Sequence, residues 1–228
     1  MVLNMVIEQA IEDQLLLRNP LHSRSVRIKG RASKPRETYT VEQMQYIVSR
    51  LDMVANECDR AYLALHALHP LRPEEVLGLK FEDLDTVNMI VHIRRSVTHP
   101  ERNQPVVKDT KTEASVRDID LVPQIIKYIP MGKPDQFVIG GDKPVSYQQV
   151  KRMCNRIRRD IGFEENITPS RFRTTVLTDL YEATKDIKQV QAAAGHTTAA
   201  MTLKHYVKGR GESKNSAAPV AGTYGLTS

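Results

Sequence analysis

The sequence predicts a mainly α-helical protein carrying one small three-stranded antiparallel β-sheet. Two observations predict it. Apolar residues recur at helical spacing behind recognisable caps from Thr40 to Ala194, and β-branched runs cluster between Met89 and Leu121. At 228 residues the chain is long enough to bury the core of one or two domains. With aromatics at 5% and no Trp, that core must rest on Leu, Ile, Val, Met and Ala.

Residues 2–18 read as an amphipathic helix, with Val2, Val6, Ile7, Ala10, Ile11 and Leu17 near one stripe, stopped by Asn19-Pro20. A single helix cannot bury its own apolar face, so this one must dock elsewhere or be the remnant of a lost domain. Residues 21–37, rich in Ser, Arg, Lys, Gly and Pro, form a basic linker. Thr40 with Gln43 makes a capping box that starts a helix to about Ala55. A second helix, about Asp59–Leu68, puts Tyr62, Leu65 and Leu68 on one face. Pro70-Leu71-Arg72-Pro73 interrupts, and a short helix Glu74–Leu79 follows. Strands are expected at Met89–Arg95, Val106–Lys108 and Val116–Leu121, with a turn at Pro100–Asn103 and a polar hairpin tip at Thr110–Ala114. Pro123–Ile129 is a short helix. Ser146 caps a longer one to about Ile161, with Val150, Met153, Ile157 and Ile161 inward and Lys151, Arg152, Arg156, Arg158 and Arg159 on its other faces. Pro169 starts a helix to about Ala183, and Asp186 caps one to Ala194 that Gly195 ends. Thr198–Lys208 is a last helical segment, and the Gly/Ser/Ala text after Gly209 reads as a flexible tail.

The formal net charge of +6 is unevenly spread. Residues 18–36 hold seven Lys/Arg and no acid, and residues 143–173 hold eight against Asp160, Glu164 and Glu165, so the rest of the chain is acidic. Two basic islands on an acidic body point to a polyanion partner, because dispersed excess charge would serve solubility alone. Cys58 and Cys154 have neither the number of a disulfide framework nor the spacing of a metal site, which points to free thiols in a reducing cytoplasm. No run reaches the length of a membrane span, and Met1–Ala10 lacks the basic start of a signal peptide.

Thr168–Tyr206 holds an arginine just after a Pro turn, a Gly-His pair, and a tyrosine ten residues past the histidine. Breaking a phosphodiester without a metal needs fixed cations on the non-bridging oxygens, an in-line nucleophile and an acid for the leaving oxygen. Arginine suits the first task, since its planar fork donates to two oxygens and keeps its charge. Each residue alone has a plainer reading. Arg72 and Glu75 at i, i+3 would make an ordinary helix ion pair, Lys111 a solvated hairpin tip, and His196 a cap. Tyr206, like Tyr62 and Tyr181, would suit an apolar helix face, and Tyr224 lies in a tail that gives it no preorganisation.

Taken in order, these residues resemble the tyrosine recombinases, the phage-integrase family. Leu71-Arg72-Pro73-Glu74-Glu75-Val76-Leu77-Gly78-Leu79 and Phe81-Glu82-Asp83-Leu84-Asp85 resemble the family's first box. Thr110-Lys111-Thr112 with Ser115, Arg117 and Leu121 resembles its lysine hairpin. Arg173 matches the second arginine, and Gly195-His196, Met201-Thr202 and Tyr206 resemble its last box. Each box alone is common; four in order, spanning most of 38–210, are specific. The resemblance implies the fold of a tyrosine recombinase catalytic domain and DNA breaking and rejoining without metal or other cofactor. Arg72 and Arg173 would clamp the scissile phosphate, and Glu75 would orient that site. Lys111 would protonate the departing 5′-hydroxyl, His196 would hydrogen-bond a phosphate oxygen, and Tyr206 would attack to leave a 3′-phosphotyrosyl link. It also implies double-stranded DNA as partner and a homotetramer on two duplexes, in the cytoplasm. Lys151, Arg152, Arg156, Arg158, Arg159 and Arg171 are the expected DNA contacts, made to phosphates.

The chain departs from the family in two places. Ser170 stands three residues before Arg173, where the family has a histidine, and Pro70 stands where a glycine is usual. Serine is no proton acceptor near neutrality, so assisted deprotonation of Tyr206 loses its base. The organisation expected is the last helix of a core-binding domain over 1–20, the linker 21–37, a catalytic domain over 38–210 and a tail over 211–228. The same residues would serve a type IB topoisomerase-like nicking-closing enzyme, and Ser170 would suit a DNA-binding regulator on the same fold.

Overall fold

The computed structural model describes residues 2–22, 37–101, 104–109 and 116–196. The chain divides into two compact units, 1–35 and 36–228.

In the first unit, helix α1 spans Val2–Glu12, shorter than the expected 2–18. Gln14 turns the chain through the left-handed region (φ 59°), and the Asn19 amide reaches back to Asn4 Oδ1 (2.8 Å) and Glu8 Oε1 (2.5 Å). Residues 13–19 thus fold back along α1 instead of extending it. Periodicity alone does not register such a side-chain clasp.

The second unit is built around α3 (Glu57–Leu68), which packs against α2 (Val41–Val48), α4 (Pro73–Gly78), α5 (Tyr147–Asp160) and α6 (Pro169–Thr184). Asn56 caps α3 by accepting from Asp59 N (3.0 Å), and eight of its twelve residues are buried. A helix apolar on nearly every side belongs inside a protein. The capping box that starts α2 is present in both directions: Thr40 N donates to Gln43 Oε1 (2.9 Å) and Gln43 N to Thr40 Oγ1 (3.2 Å). α2 ends at Val48, not Ala55; a 3-10 turn at Leu51–Met53 follows.

The architecture is mainly α with small antiparallel sheets, as expected, but the strands are distributed differently. β1 (Leu84–Asp85), β2 (Ile90–Ile93) and β5 (Arg117–Asp120) form a three-stranded sheet, with Val91 opposite Ile119 and Ile93 opposite Arg117. β3 (Arg95–Glu101) and β4 (Gln104–Asp109) pair separately. The expected strand 106–108 therefore leaves the main sheet to pair with Ser96–Thr98, between the expected strand Met89–Arg95 and the expected turn Pro100–Asn103. Pro100 sits inside β3 beside a bulge between Thr98 and Glu101, where a missing N–H is tolerated. Gly78 lets β3 approach α4: a Cβ there would lie 2.7 Å from the Arg95 carbonyl oxygen.

Pro123–Tyr128 is 3-10, and α5 is capped by Ser146 as expected, with Met153, Ile157 and the following Ile161 buried. α7 (Ile187–Ala194) is capped by Asp186, which accepts from Lys188 N (2.8 Å), and ends at Gly195. Cys58 and Cys154 are free thiols. Among the described residues no helix is long and apolar enough to cross a membrane.

Candidate active site

Helix α4 starts from extended backbone at Arg72 (φ −71°, ψ 148°), with Pro73 at its first position. Glu75, one turn in, accepts from the Arg72 backbone N–H at 2.7 Å and from Arg72 Nη1 at 2.6 Å. Arg117 adds a bidentate pair, Nη1 to Oε1 at 2.9 Å and Nη2 to Oε2 at 2.8 Å. The carboxylate thus accepts four hydrogen bonds, two on each oxygen, while Arg173 Nη1 stands 3.9 Å from Oε2.

The same three arginines converge on the end of α7. Arg117 Nε donates to Ala193 O (3.2 Å), Arg173 Nη2 to Ala194 O (2.5 Å) and Arg72 Nη2 to Gly195 O (3.2 Å). The last carbonyls of a helix have no intrahelical partner and carry its negative dipole end, so cations are favoured there. Gly195 adopts the left-handed conformation (φ 59°), returning its N–H to Ala192 O (3.0 Å) while His196 N donates to Gln191 O (3.1 Å). This termination places His196 directly after the carbonyl that Arg72 holds.

α6 delivers Arg173 from the opposite side, where Nη1 also donates to Pro70 O at 2.6 Å. Thr174, Thr175 and Thr178 are buried beside it, each hydroxyl donating to the carbonyl four residues back at 3.1, 2.8 and 2.8 Å. The Thr175 hydroxyl also accepts from Tyr39 N (2.9 Å), tying the start of the second unit to α6.

Burial pushes the Glu75 carboxyl upward, but the Arg117 hydrogen bonds and charge, with the Arg72 N–H and charge, more than offset this and lower it to about 2. Glu75 therefore stays ionised at all ordinary pH, and three guanidinium groups surround one carboxylate. That excess of positive charge around a dry carboxylate is what an oxyanion such as a phosphodiester requires.

The structure thus brings together Arg72, Glu75, Arg173 and the backbone of His196. Ser170 lies one turn before Arg173, exposed at the start of α6, beside a cavity of about 500 Å³ lined also by Tyr62, Glu74, Tyr147, Lys151 and Asn155. Lys111 and Tyr206 lie outside the described residues, as do the hairpin tip and the expected helix 198–208. Of the residues assigned to DNA, Lys151, Arg152, Arg158 and Arg159 are exposed on α5. Arg156 is instead paired with the buried Asp59, Nε to Oδ2 at 2.7 Å and Nη2 to Oδ1 at 2.8 Å. Arg171 stacks over the Tyr39 ring and donates to Glu165 (2.5 Å) and Thr38 O (3.1 Å).

Arg117 enters the site although the sequence reading gives it no role. Its signal lay in the alternation Arg117-Asp118-Ile119-Asp120-Leu121: side chains two apart share a strand face, so Arg117 points to the same side as Ile119 and Leu121.

Residues 37–212 match the phage integrase family, and the chain belongs to that family. Among curated relatives, it is 26% identical over 160 residues to the tyrosine recombinase XerC of Thermodesulfovibrio yellowstonii, covering 66% of this chain and 52% of that protein. A tyrosine recombinase of Agathobacter rectalis is 40% identical over 60 residues, 26% of this chain and 20% of that one. The chain spans about half the length, or less, of the curated relatives it matches first. Among solved structures, a Tn1549 transposon integrase in complex with transposon right-end DNA superposes with a TM-score of 0.67 at 20% identity, over 99% of this chain and 77% of that one. XerH recombinase bound to difH substrate gives 0.59 at 17% identity, over 83% and 55%. At such identities the likeness concerns the fold. The family and the fold read from the ordered boxes are the ones found.

Proposed function

We propose that this protein is a site-specific DNA recombinase, an integrase of a phage or mobile element that cuts and rejoins DNA through a 3′-phosphotyrosyl intermediate. One observation carries the reading beyond family membership: Arg72 and Arg173, from separate elements, converge on one carboxylate and one helix end beside His196. Such a fixed cluster suits a phosphorane, whose extra negative charge it meets without reorganising.

In this reading Arg72 and Arg173 hold the non-bridging oxygens of the scissile phosphate, and His196 donates to one of them. The Tyr206 oxygen attacks phosphorus in line as the bond to the 5′ oxygen breaks. Lys111 gives that oxygen its proton, and the tyrosyl proton passes to solvent, since Ser170 offers no base. One phosphodiester is exchanged for another, so rejoining to a new strand needs no ATP. Exchange between two duplexes calls for four protomers in the cytoplasm. Residues 38–210 serve as catalytic domain, 1–20 as the end of a core-binding domain, 21–37 as linker and 211–228 as tail. Exposed Lys151, Arg152, Arg158 and Arg159 supply phosphate contacts along α5.

The test is incubation with a nicked duplex whose cleaved end diffuses away, followed by denaturing electrophoresis. A covalent protein–DNA band that carries phosphate at the DNA 3′ end is expected. Supercoil relaxation without recombinant products would favour a nicking-closing enzyme, and specific binding without a covalent band a regulator.

A further inference from the structure

We infer that Arg117 is a positioning residue for DNA strand cleavage, the group that locks Glu75 and the His196 turn into one geometry. The inference rests on the reading of this site as a strand-cleavage centre.

The hydrogen bonds of Arg117 run to the site's own scaffold. Its fork takes both oxygens of Glu75 and its Nε takes Ala193 O, so a single side chain from β5 ties α4 to the end of α7. Its side chain is 8% exposed, against 37% for Arg72, so it holds the frame while Arg72 faces outward. With Glu75 fixed, Arg72 has a fixed anchor for Nη1. With Ala193 fixed, the turn through Gly195 that leads to His196 is fixed as well.

A second, independent observation agrees. Gly195 adopts the left-handed backbone, and it packs closely against Arg117. An added Cβ would lie 3.1 Å from Arg117 Cδ and 3.1 Å from Nη1. The turn before His196 is therefore shaped against Arg117. Arg117 also follows Lys111 by six residues in the sequence. One residue thereby links the elements bearing the phosphate clamp and the histidine.

Lysine cannot replace it, because a point charge cannot grip two carboxylate oxygens and a carbonyl in fixed directions. Displacing a reacting group by 1 Å costs about 100-fold in rate.

The experiment measures single-turnover covalent-adduct formation at saturating nicked DNA for the wild type, Arg117→Ala, Arg117→Lys and Arg117→Gln. Each is followed with and without millimolar ethylguanidinium, the ionic strength being matched with sodium chloride. The expected result is a rate loss of about 100-fold in Arg117→Ala and in Arg117→Lys, with DNA affinity within about threefold of wild type. Ethylguanidinium should restore at least about tenfold of it in Arg117→Ala and nothing in the wild type. An adduct rate near that of wild type in Arg117→Ala overturns the inference. So does a loss that tracks DNA affinity or melting temperature and is not rescued, including loss of fold in all three variants. If the wild type itself forms no adduct, the strand-cleavage reading fails and the inference falls with it.

Discussion

Arg72 and Arg173 meet on consecutive carbonyls of the α7 terminus, Arg72 on Gly195 and Arg173 on Ala194, although they arrive from the starts of different helices. Both also face Glu75, at 2.6 and 3.9 Å. The spacing of the two guanidinium groups is therefore set by groups the chain itself provides, before any phosphate binds.

Glu75 should govern the acid limb of stability. Its folded-state pKa of about 2 lies below the ordinary 4.5, so its contribution is present above pH 4.5 and is lost as pH falls toward 2. The drop amounts to about 3 kcal/mol. Glu75→Gln should flatten that limb and lower the melting temperature at pH 7 by about 6–12 °C, because buried guanidinium groups lose their counter-charge. Thermal melts from pH 2.5 to 7 check both.

His66 should act at higher pH. It is fully buried between Tyr62 and Phe172, and neither ring nitrogen has a hydrogen-bond partner among the described residues. Burial lowers its pKa to about 3. The unfolded chain then binds the extra proton first, so stability is complete above pH 6.5 and declines as pH falls below it. His66→Phe should remove about 2 kcal/mol of the loss between pH 7.5 and 5. Denaturant midpoints at those two pH values measure it.

Gly195→Ala should cost about 1–2 kcal/mol through its left-handed backbone. It should also displace the Arg117 fork that its Cβ would meet at 3.1 Å. Adduct formation should fall further than stability accounts for, as measured at a temperature where the variant is fully folded.

Arg156 and Arg152 are neighbours in sequence with different work. Arg156→Ala strips the counter-charge from Asp59, whose side chain is 1% exposed, and should destabilise by about 3–5 kcal/mol. Arg152→Ala should leave stability unchanged and lower the slope of log affinity against log salt by about 1. Melting curves and DNA titrations over a salt series separate the two.

Restoring a proton acceptor at position 170 should raise cleavage. Ser170→His is expected to speed adduct formation at least about tenfold near neutral pH, with the gain vanishing as pH falls below the imidazole range. A pH–rate profile of the two proteins is the measurement.

What the sequence revealed follows the range of the interactions that fix each part. Thr40 with Gln43, Ser146 before α5, and Asp186 with Gly195 around α7 are caps closed within a few residues, and all five residues do what their chemistry implies. The end of α1 depends on Asn19 reaching back to Asn4 and Glu8, and β3 tolerates Pro100 only because of its place beside a bulge. Neither is written in local periodicity. Arg72, Glu75 and Arg173 are legible as an ordered pattern. Their shared anchor on the α7 carbonyls is not, since it joins residues far apart in the chain. Arg156 resembles its basic neighbours on α5 in type alone; only the packing of α5 on α3 reveals Asp59 beneath it.

The central claim is that Tyr206 attacks DNA within the cluster of Arg72, Arg173 and His196. Digestion of the covalent adduct and mass spectrometry of the nucleotide-bearing peptide test it most directly. One modified residue, Tyr206, is expected, with no adduct from Tyr206→Phe and DNA affinity intact. An adduct carried by another residue such as Tyr224, or one that survives Tyr206→Phe, would contradict it.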